Sequence, residues 1–468
     1  MGAVVALRAA EVPQRDSQEA LREMAHKRLD ELIDRLPDAS ALAAAGRSWL
    51  ATVSQELQSE RLSLLSVVLQ AKIEETFSDL LAQEEAPCPK CAAIRPRWRR
   101  DPKVLSTLQG EFTLQRPYFY CRPCRLGFHP LDRALGLSED EHQYDVQEEV
   151  IRLGADLPYQ RSTEHFARLT GVAVSGHVAH DKLNEVGEHA TLQEVIPSAE
   201  EIERRVAGAQ PRGRRGRRWR PVMVVAVDGA HAPVRREGAR EDKRGAGLWR
   251  EVKGCRVYLV GKDGRIVDLA SWHQIQDAQS LERALVEIRG RLPIERVRVA
   301  LVADGAEWIW EMLGRVFPGA TAVLDYYHCA EHVFAAATAQ FGQSVAALQW
   351  AESSLALLSY GLVHSVALLC RDLEPADSAA AEELENLAAY LETNQPRIHY
   401  RKNRRRGIPN GSGAIESANK FLCHARLKIS GAWWLEENSN AMLRIRCAIH
   451  NRTFDTVFRS YIASKARF

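Results

Sequence analysis

Residues 222–230 read VMVVAVDGA, and residues 297–306 read VRVALVADGA. Each segment is an apolar run rich in β-branched residues that ends in Asp-Gly-Ala, which is typical of a buried strand followed by a turn. Asp228 and Asp304 are therefore expected at the ends of two buried strands, at the edge where α/β sheets bind ligands. Either aspartate alone is better explained as an ordinary Asp-Gly turn, but the repeated pattern favours a shared site.

The sequence around these two segments predicts the rest of a sheet. Lys262-Asp263-Gly264 favours a hairpin turn between two strands, and amphipathic helices alternate with the later strands. The predicted strands are 222–227, 254–260, 265–272, 297–303 and 320–324, and the predicted helices are 278–292, 307–316 and one that begins near Ala330. Three antiparallel strands followed by helix, strand, helix and strand is the order of a ribonuclease-H-like core.

The remaining sequence is mostly helical, so we expect a multidomain protein of mixed α/β and α class. Periodic leucines predict a helical N-terminal region, and a second Ala/Leu-rich helical stretch interrupts the core as an insertion. The expected domains are 1–84 (helical), 85–135 (ribbon), 140–200 (helix-turn-helix), 201–220 (basic linker), 221–334 (core, first part), 335–405 (helical insertion) and 406–468 (core, last part).

Composition excludes several classes of protein. The chain has 468 residues with 63 basic and 61 acidic side chains, so nucleic acid could be attracted only by local clusters of charge. A run of about 18 apolar residues, which a membrane span requires, is missing from the sequence. We therefore expect a cytoplasmic protein without a membrane partner.

Four of the nine cysteines form two Cys-x-x-Cys pairs, Cys88 with Cys91 and Cys121 with Cys124. Four thiolates at this spacing suit tetrahedral Zn²⁺, so the sequence predicts one structural zinc ion in a ribbon. Arginines between the pairs are expected to decorate a loop near phosphates. Two chance pairs in a reduced protein are the less favoured alternative.

Three helical segments separated by short turns occupy residues 144–190. The middle helix is expected to begin at Ser162 and to stop at Gly171, and the third to begin near Ser175. This is the helix-turn-helix pattern, although an ordinary helical hairpin fits it equally well.

A third acid, Glu416, lies in the first turn of a helix that is expected from about Ala414, after the glycine-rich PNGSG. Phosphodiester chemistry with two divalent ions requires about three carboxylates, and Glu416 is the candidate for the third. In isolation, a glutamate at this position simply complements the helix dipole.

Four motifs together are similar to bacterial insertion-sequence transposases of the DDE class, most closely the ISKra group. They are AVDGAH around Asp228, LVADGAEWIW around Asp304, LDYYHCAEH from Leu324, and PNGSGAIESANK with RLKISGAWW after Pro409. The resemblance implies a ribonuclease-H-like transposase with a helical insertion after the last strand.

The resemblance also implies roles for individual residues. Asp228, Asp304 and Glu416 would be the catalytic acids that hold two Mg²⁺ or Mn²⁺ ions, with Asp325 as the less favoured second metal ligand. His328 would help to position the substrate strand, or else pair with a neighbouring carboxylate or pack at a helix start. The implied partners are double-stranded DNA at the terminal repeats and target, and further copies of the chain; a location at the nucleoid follows.

Basic residues near the acids are the expected DNA contacts. They are Arg214, Arg215, Arg217, Arg218, Arg404, Arg405, Lys420, Arg426 and Lys428. Trp433 and Trp434 are better explained as core than as a surface for an unpaired base. The alternatives to a transposase are a DNA-binding regulator and a nuclease that cuts without joining.

Overall fold

The computed structural model describes residues 14–40, 48–209, 220–235, 248–261 and 264–465. Its contacts divide the chain into two units, one up to Lys182 together with the residues from Ile462, and the other from Leu183 to Tyr461. Arg214, Arg215, Arg217, Arg218 and the first two residues of the predicted 262–264 turn lie outside the described residues. No helix among the residues described is both long and apolar enough to cross a membrane.

The first unit combines helices with a four-stranded antiparallel sheet of order β1-β2-β3-β4. Its elements are α1 (Gln14–Arg35), α2 (Trp49–Thr76), α3 (Ser78–Ala82), β1 (Glu85–Pro87), β2 (Ile94–Thr107), β3 (Gly110–Cys121), β4 (Leu126–Phe128), α4 (Pro130–Leu135), α5 (Tyr144–Asp156), α6 (Tyr159–Thr170) and α7 (Gly176–His189), which crosses into the second unit.

The basic segment after the first cysteine pair is a strand and not the loop that the sequence predicted. Ile94–Thr107 pairs with β3 over nearly its whole length, and its side chains alternate between exposed and partly buried positions. Leu105 packs with Phe112 and Leu114 of β3 beneath Leu69 of α2. This one-sided burial stabilises a hairpin although its outward residues are mostly charged.

The three helices expected at 144–190 are present. Gly171 ends the middle helix in the left-handed conformation, as predicted. That helix begins at Tyr159 and not at Ser162, because Ser162 is buried and its hydroxyl donates to the carbonyl of Tyr159. Phe166 of this helix packs against Val150 of α5.

The second unit is built on a mixed five-stranded sheet of order β7-β6-β5-β8-β9. Its elements are α8 (Leu192–Val195), α9 (Ala199–Ala209), β5 (Val222–Val234), β6 (Leu248–Val260), β7 (Ile266–Ile275), α10 (Ala278–Gly290), a 3₁₀ turn (Ile294–Arg296), β8 (Arg298–Ala303), α11 (Glu307–Val316), β9 (Thr321–Leu324), α12 (Tyr326–Phe341), α13 (Val345–Ser359), α14 (Val363–Asp372), α15 (Ser378–Asn394), a 3₁₀ turn (Gln395–Arg397), α16 (Tyr400–Arg405), α17 (Gly413–Ala418), a π-helical turn (Asn419–His424), α18 (Ala425–Leu427), α19 (Glu436–Asn451) and α20 (Phe454–Lys465), which returns to the first unit.

Strand direction places the acids at one edge of this sheet. β7, β6 and β5 are antiparallel neighbours, whereas β5, β8 and β9 run parallel. The carboxyl ends of parallel strands meet at the same edge. Asp304 follows β8 and Asp325 follows β9, so both acids leave the sheet there.

Asp228 does not end its strand, contrary to the prediction. β5 continues to Val234 paired with β6, while its pairing with β8 stops at Ala226. After Asp228, buried Ala230 and Ala232 alternate with exposed Gly229 and His231, the pattern of a sheet with one covered face, before Pro233 and Val234 are both buried. Asp228 thus lies in the gap that opens where β8 ends.

Two asparagines of α19 cover the free edge of β7. Asn451 accepts from the backbone amide of Ser271 at 2.8 Å and donates to its carbonyl at 2.9 Å. Asn440 does the same for Ile275, at 2.8 and 3.1 Å. Unpaired backbone groups of an edge strand are thereby satisfied, which fixes α19 against the sheet.

Candidate metal centres

The four sulfurs of Cys88, Cys91, Cys121 and Cys124 lie within 4.8 Å of one another, and those of Cys91 and Cys121 are 3.7 Å apart. A tetrahedral zinc ion with Zn–S bonds of about 2.3 Å would separate its ligands by roughly 3.8 Å. The cysteine cluster therefore fits one metal ion. The other five cysteines are buried free thiols.

Arg95 stabilises the thiolate form of Cys121 in this cluster. Burial on its own raises the pKa of Cys121, but a backbone amide from Cys124 and the side chain of Arg95 outweigh it and lower the pKa to about 6. Arg95 Nε donates to Cys121 Sγ at 3.2 Å. A thiolate at neutral pH is the form that binds metal.

Each cysteine pair is followed by a residue with positive φ, Ala92 at 57° and Arg125 at 50°. This conformation closes the turn around the sulfurs, and it disfavours residues with a Cβ. We expect Ala92→Gly to raise the unfolding free energy of the metal-loaded protein by about 0.5 kcal/mol, measured by urea denaturation. Ala93→Gly, one residue further on, is the control, and an equal or larger gain there would contradict this account.

The second candidate centre consists of two acids and a histidine from two parts of the chain, and it includes Glu416 but neither Asp228 nor Asp304. Asp325, His328 and Glu416 offer ligand atoms within 4.8 Å of one another. Burial raises the pKa of Asp228 to about 6, and the charges of Asp304 and Glu416 add to the increase while His328 opposes it. The predicted acids therefore lie within electrostatic range of Asp228.

Asp325 holds the backbone at this centre. It is fully buried; its Oδ1 accepts from the amides of Tyr327 at 2.6 Å and His328 at 2.9 Å, and its Oδ2 from the amide of Ser412. The first two bonds cap the start of α12, which explains why that helix begins at Tyr326 and not at the predicted Ala330. The third joins α12 to the loop before Glu416.

Ser412, which the sequence reasoning missed, connects two of the acids. Its amide donates to Asp325, and its hydroxyl donates to Glu416 Oε1 at 2.7 Å. Glu416 lies in the first turn of α17, as predicted. The predicted long helix is modified after this turn, because residues Asn419–His424 form a π-helical turn. Such turns occur frequently at functional sites.

His328 carries a positive charge at neutral pH. Its pKa is raised to about 9, first by the interaction with Asp325, whose Oδ1 lies 3.6 Å from His328 Nδ1. Burial alone would raise the pKa of Asp325, but its bonds to His328 and Ser412 lower it overall. His328 therefore offsets part of the negative charge of the acids.

Helix α15 lies beside the turn that carries Asp304. A Cβ on Gly305, the residue after Asp304, would lie 2.3 Å from the ring of Tyr390 in α15, so only glycine allows this approach. Burial raises the pKa of Tyr390, and the charge of Asp304 contributes. Helix α15 thus packs directly over the turn that contains Asp304.

Most of the expected DNA contacts within the described residues are exposed, namely Arg404, Arg405, Lys420 and Lys428. Arg426 is not, because it is 3% exposed with its guanidinium over the ring of Trp434 at 4.9 Å. Trp434 is buried, as the structural interpretation predicted, whereas Trp433 is 41% exposed. In the helix-turn-helix segment, α7 carries one lysine against three acids, so its charge does not favour DNA.

No curated protein matches the chain. The solved Drosophila P element transposase strand transfer complex is similar over 70% of this chain and 82% of that chain, with a TM-score of 0.25 and 10% sequence identity. The model of an uncharacterised protein family, UPF0236, matches residues 56–457. The chain belongs to the UPF0236 family.

Proposed function

We propose that this protein is a DNA transposase that cuts and joins DNA with divalent metal ions. One arrangement of side chains supports the proposal. Asn419, three residues after Glu416, donates to Asp228 Oδ2 at 2.7 Å, which brings the acid of β5 to the segment that carries Glu416. Glu416 in turn offers a ligand atom within 4.8 Å of those of Asp325 and His328. Acids that repel one another in a partly buried site are costly unless a cation neutralises them.

We further propose that the sheet is a ribonuclease-H-like core. The order β7-β6-β5-β8-β9, with the first three strands antiparallel and the last three parallel, agrees with the strand and helix order that the sequence predicted. In this assignment residues 335–405 are a helical insertion between β9 and the helix that carries Glu416. The seven predicted domain boundaries stay part of this proposal.

Asp228, Asp304 and Glu416 are the proposed ligands of two Mg²⁺ ions. Their oxygen atoms are the ligand type that Mg²⁺ prefers, and all three side chains are only partly buried. When bound, such ions activate the attacking oxygen and stabilise the leaving one in an in-line displacement at phosphorus. The Cys₄ cluster is the proposed site of one Zn²⁺, with a structural role.

The neighbouring residues then have supporting roles. Asp325 fixes the start of α12 and the loop at Ser412, and Ser412 orients Glu416 by its hydroxyl. His328, whose pKa is raised to about 9 beside Asp325, would hold a phosphate of the substrate strand. Because the metal ions require three ionised acids, a cationic histidine beside them also lowers their mutual repulsion.

The proposed partner is double-stranded DNA at the ends of a mobile element, bound by more than one copy of the chain. Arg404, Arg405, Lys420 and Lys428 would contact its phosphates, and we leave Arg426 out because it is buried. In the first unit, the exposed arginines of β2, among them Arg99 and Arg100, are separate candidates for phosphate contacts.

A strand-transfer assay tests the function. Purified protein, Mg²⁺ and labelled DNA that carries the element ends should yield cut ends and products joined to a target plasmid. Cut but unjoined DNA would indicate the nuclease instead. Binding of the ends without any cleavage, in Mg²⁺ and in Mn²⁺, would support the regulator and refute the proposal.

Two substitutions decide between Asp304 and Asp325 as the second metal ligand. Asp304 Oδ1 accepts one backbone amide, that of Ala306 at 3.0 Å, whereas Asp325 is fully buried with three amides on its oxygens. We expect Asp304→Asn to abolish cleavage without lowering the melting temperature. Asp325→Asn should destabilise the metal-free protein by about 2 kcal/mol, because buried donors lose a charged acceptor. The opposite pattern in thermal unfolding and cleavage would make Asp325 the ligand.

A further inference from the structure

A fully buried histidine shares a row of the sheet with Asp228. Asp228 of β5 pairs with Gly254 of β6, and Gly254 pairs with His273 of β7. Residues that lie directly opposite in neighbouring strands point to the same face of a sheet. Asp228 and His273 therefore share one face, with a glycine between them.

Gly254 leaves room for the imidazole to lie between the strands. A Cβ at this position would lie 2.1 Å from His273 Cδ2 and 2.4 Å from Nε2. The ring consequently covers Gly254, on the side toward β5. An alanine at position 254 would displace the imidazole of His273. The glycine of β6 is therefore required for this position of the ring.

Asn419 connects the histidine with the acid. It is 4% exposed, lies three residues after Glu416 and so on the same helix face, and donates from Nδ2 to Asp228 Oδ2 at 2.7 Å. Its Oδ1 is buried and has no hydrogen-bond partner among the described residues, and the same holds for both ring nitrogens of His273.

The two unpaired groups are complementary. Burial lowers the pKa of His273 to about 3, and the side chain of Asn419 is the first group that opposes this, which places it beside the ring. A neutral imidazole has one N–H to donate, and an amide oxygen accepts it. Buried polar groups normally form hydrogen bonds, so a buried amide oxygen and a buried imidazole that lie together without one require an explanation.

We propose that His273 and Asn419 are positioning residues for Asp228: His273 donates a ring N–H to Asn419 Oδ1 and so keeps Nδ2 directed at the metal-binding carboxylate. If the side-chain amide of Asn419 were reversed, its oxygen would face the carboxylate of Asp228 and repel it. This inference rests on the proposed metal-dependent function. In metal sites, residues that hydrogen-bond to the ligands commonly fix the orientation of those ligands, and His273 and Asn419 would do this for Asp228.

Mn²⁺ binding to the full-length, DNA-free protein, measured by electron paramagnetic resonance, tests the inference. We expect His273→Ala and Asn419→Ala to weaken Mn²⁺ binding at least about tenfold, and the half-saturating Mg²⁺ concentration for cleavage to rise in parallel. His273→Gln, which keeps an N–H donor, should recover most of the loss and serves also if the alanine variant does not fold. Asn440→Ala removes a similar amide from the edge of β7, and it should lower the melting temperature without changing Mn²⁺ affinity.

The outcomes separate the inference from the function. Unchanged Mn²⁺ affinity in folded His273→Ala and Asn419→Ala, with binding lost in Asp228→Asn, overturns the positioning role alone. If Asp228→Asn also binds Mn²⁺ like the wild type, both the metal site and the positioning role are wrong. Equal weakening by Asn440→Ala and His273→Ala would show a merely structural effect and would also overturn the inference.

Discussion

Asp228→Asn is expected to reduce Mg²⁺-dependent cleavage of the element ends by on the order of 10³-fold or more, which corresponds to about 4 kcal/mol of lost transition-state stabilisation. The amide keeps the shape of the side chain, but it can accept from only one of the two donors, Asn419 Nδ2 and the amide of Gly229, and it supplies no charge for the metal ions. Affinity for the same DNA, measured by gel shift, should stay within about twofold. Asp372→Asn, an exposed acid on α14, is the control and should cleave normally.

The same variant should be more stable than the wild type when no metal is present. The pKa of Asp228 is about 6 in the folded protein against 3.8 for the ordinary group, so the folded state holds the proton more tightly. Its contribution to stability is present below pH 4 and is lost as the pH rises through 6. In EDTA at pH 7 we expect Asp228→Asn to gain about 2 kcal/mol in urea unfolding, and little at pH 4. A loss of stability at pH 7 would contradict a raised pKa of Asp228 in the folded protein.

Cys88→Ser is expected to have the largest effect on folding. Structural zinc in small domains supplies on the order of 10 kcal/mol, and the short strands around the Cys₄ cluster have little core of their own. The variant should lose its zinc, measured by mass spectrometry, and residues 85–135 should lose hydrogen-exchange protection. Cys370→Ser, in a helix of the insertion, should keep both. A wild-type protein that is folded and free of metal would rule out this role for the cysteines.

Local patterns predicted most of the sheet because each strand carries its own signal. The β-branched runs at 222 and 297 gave strands at their expected starts, and α11 occupies the predicted residues. β5 was predicted too short because Asp228-Gly229 is a typical turn sequence, and pairing with β6 keeps these residues extended. β2 was missed because its charged residues hide a one-sided burial pattern.

The candidate site was predicted less completely, for a physical reason. Asp228, Asp304 and Glu416 each stand beside a strand or helix signal, whereas Ser412, Tyr390 and Asn419 act only through contacts with distant parts of the chain. From the sequence alone, Ser412 in its glycine-rich loop cannot be distinguished from an ordinary turn residue. The burial of Asp325 likewise depends on the amide of Ser412, which no spacing in the sequence reveals.

A crystal structure of the protein soaked in Mn²⁺, with the ions located by anomalous scattering, tests the central claim most directly. We expect manganese within coordination distance of carboxylate oxygens from Asp228, Asp304 and Glu416 together. Manganese bound only by Asp325, His328 and Glu416, or the three acids empty at millimolar Mn²⁺, would contradict it.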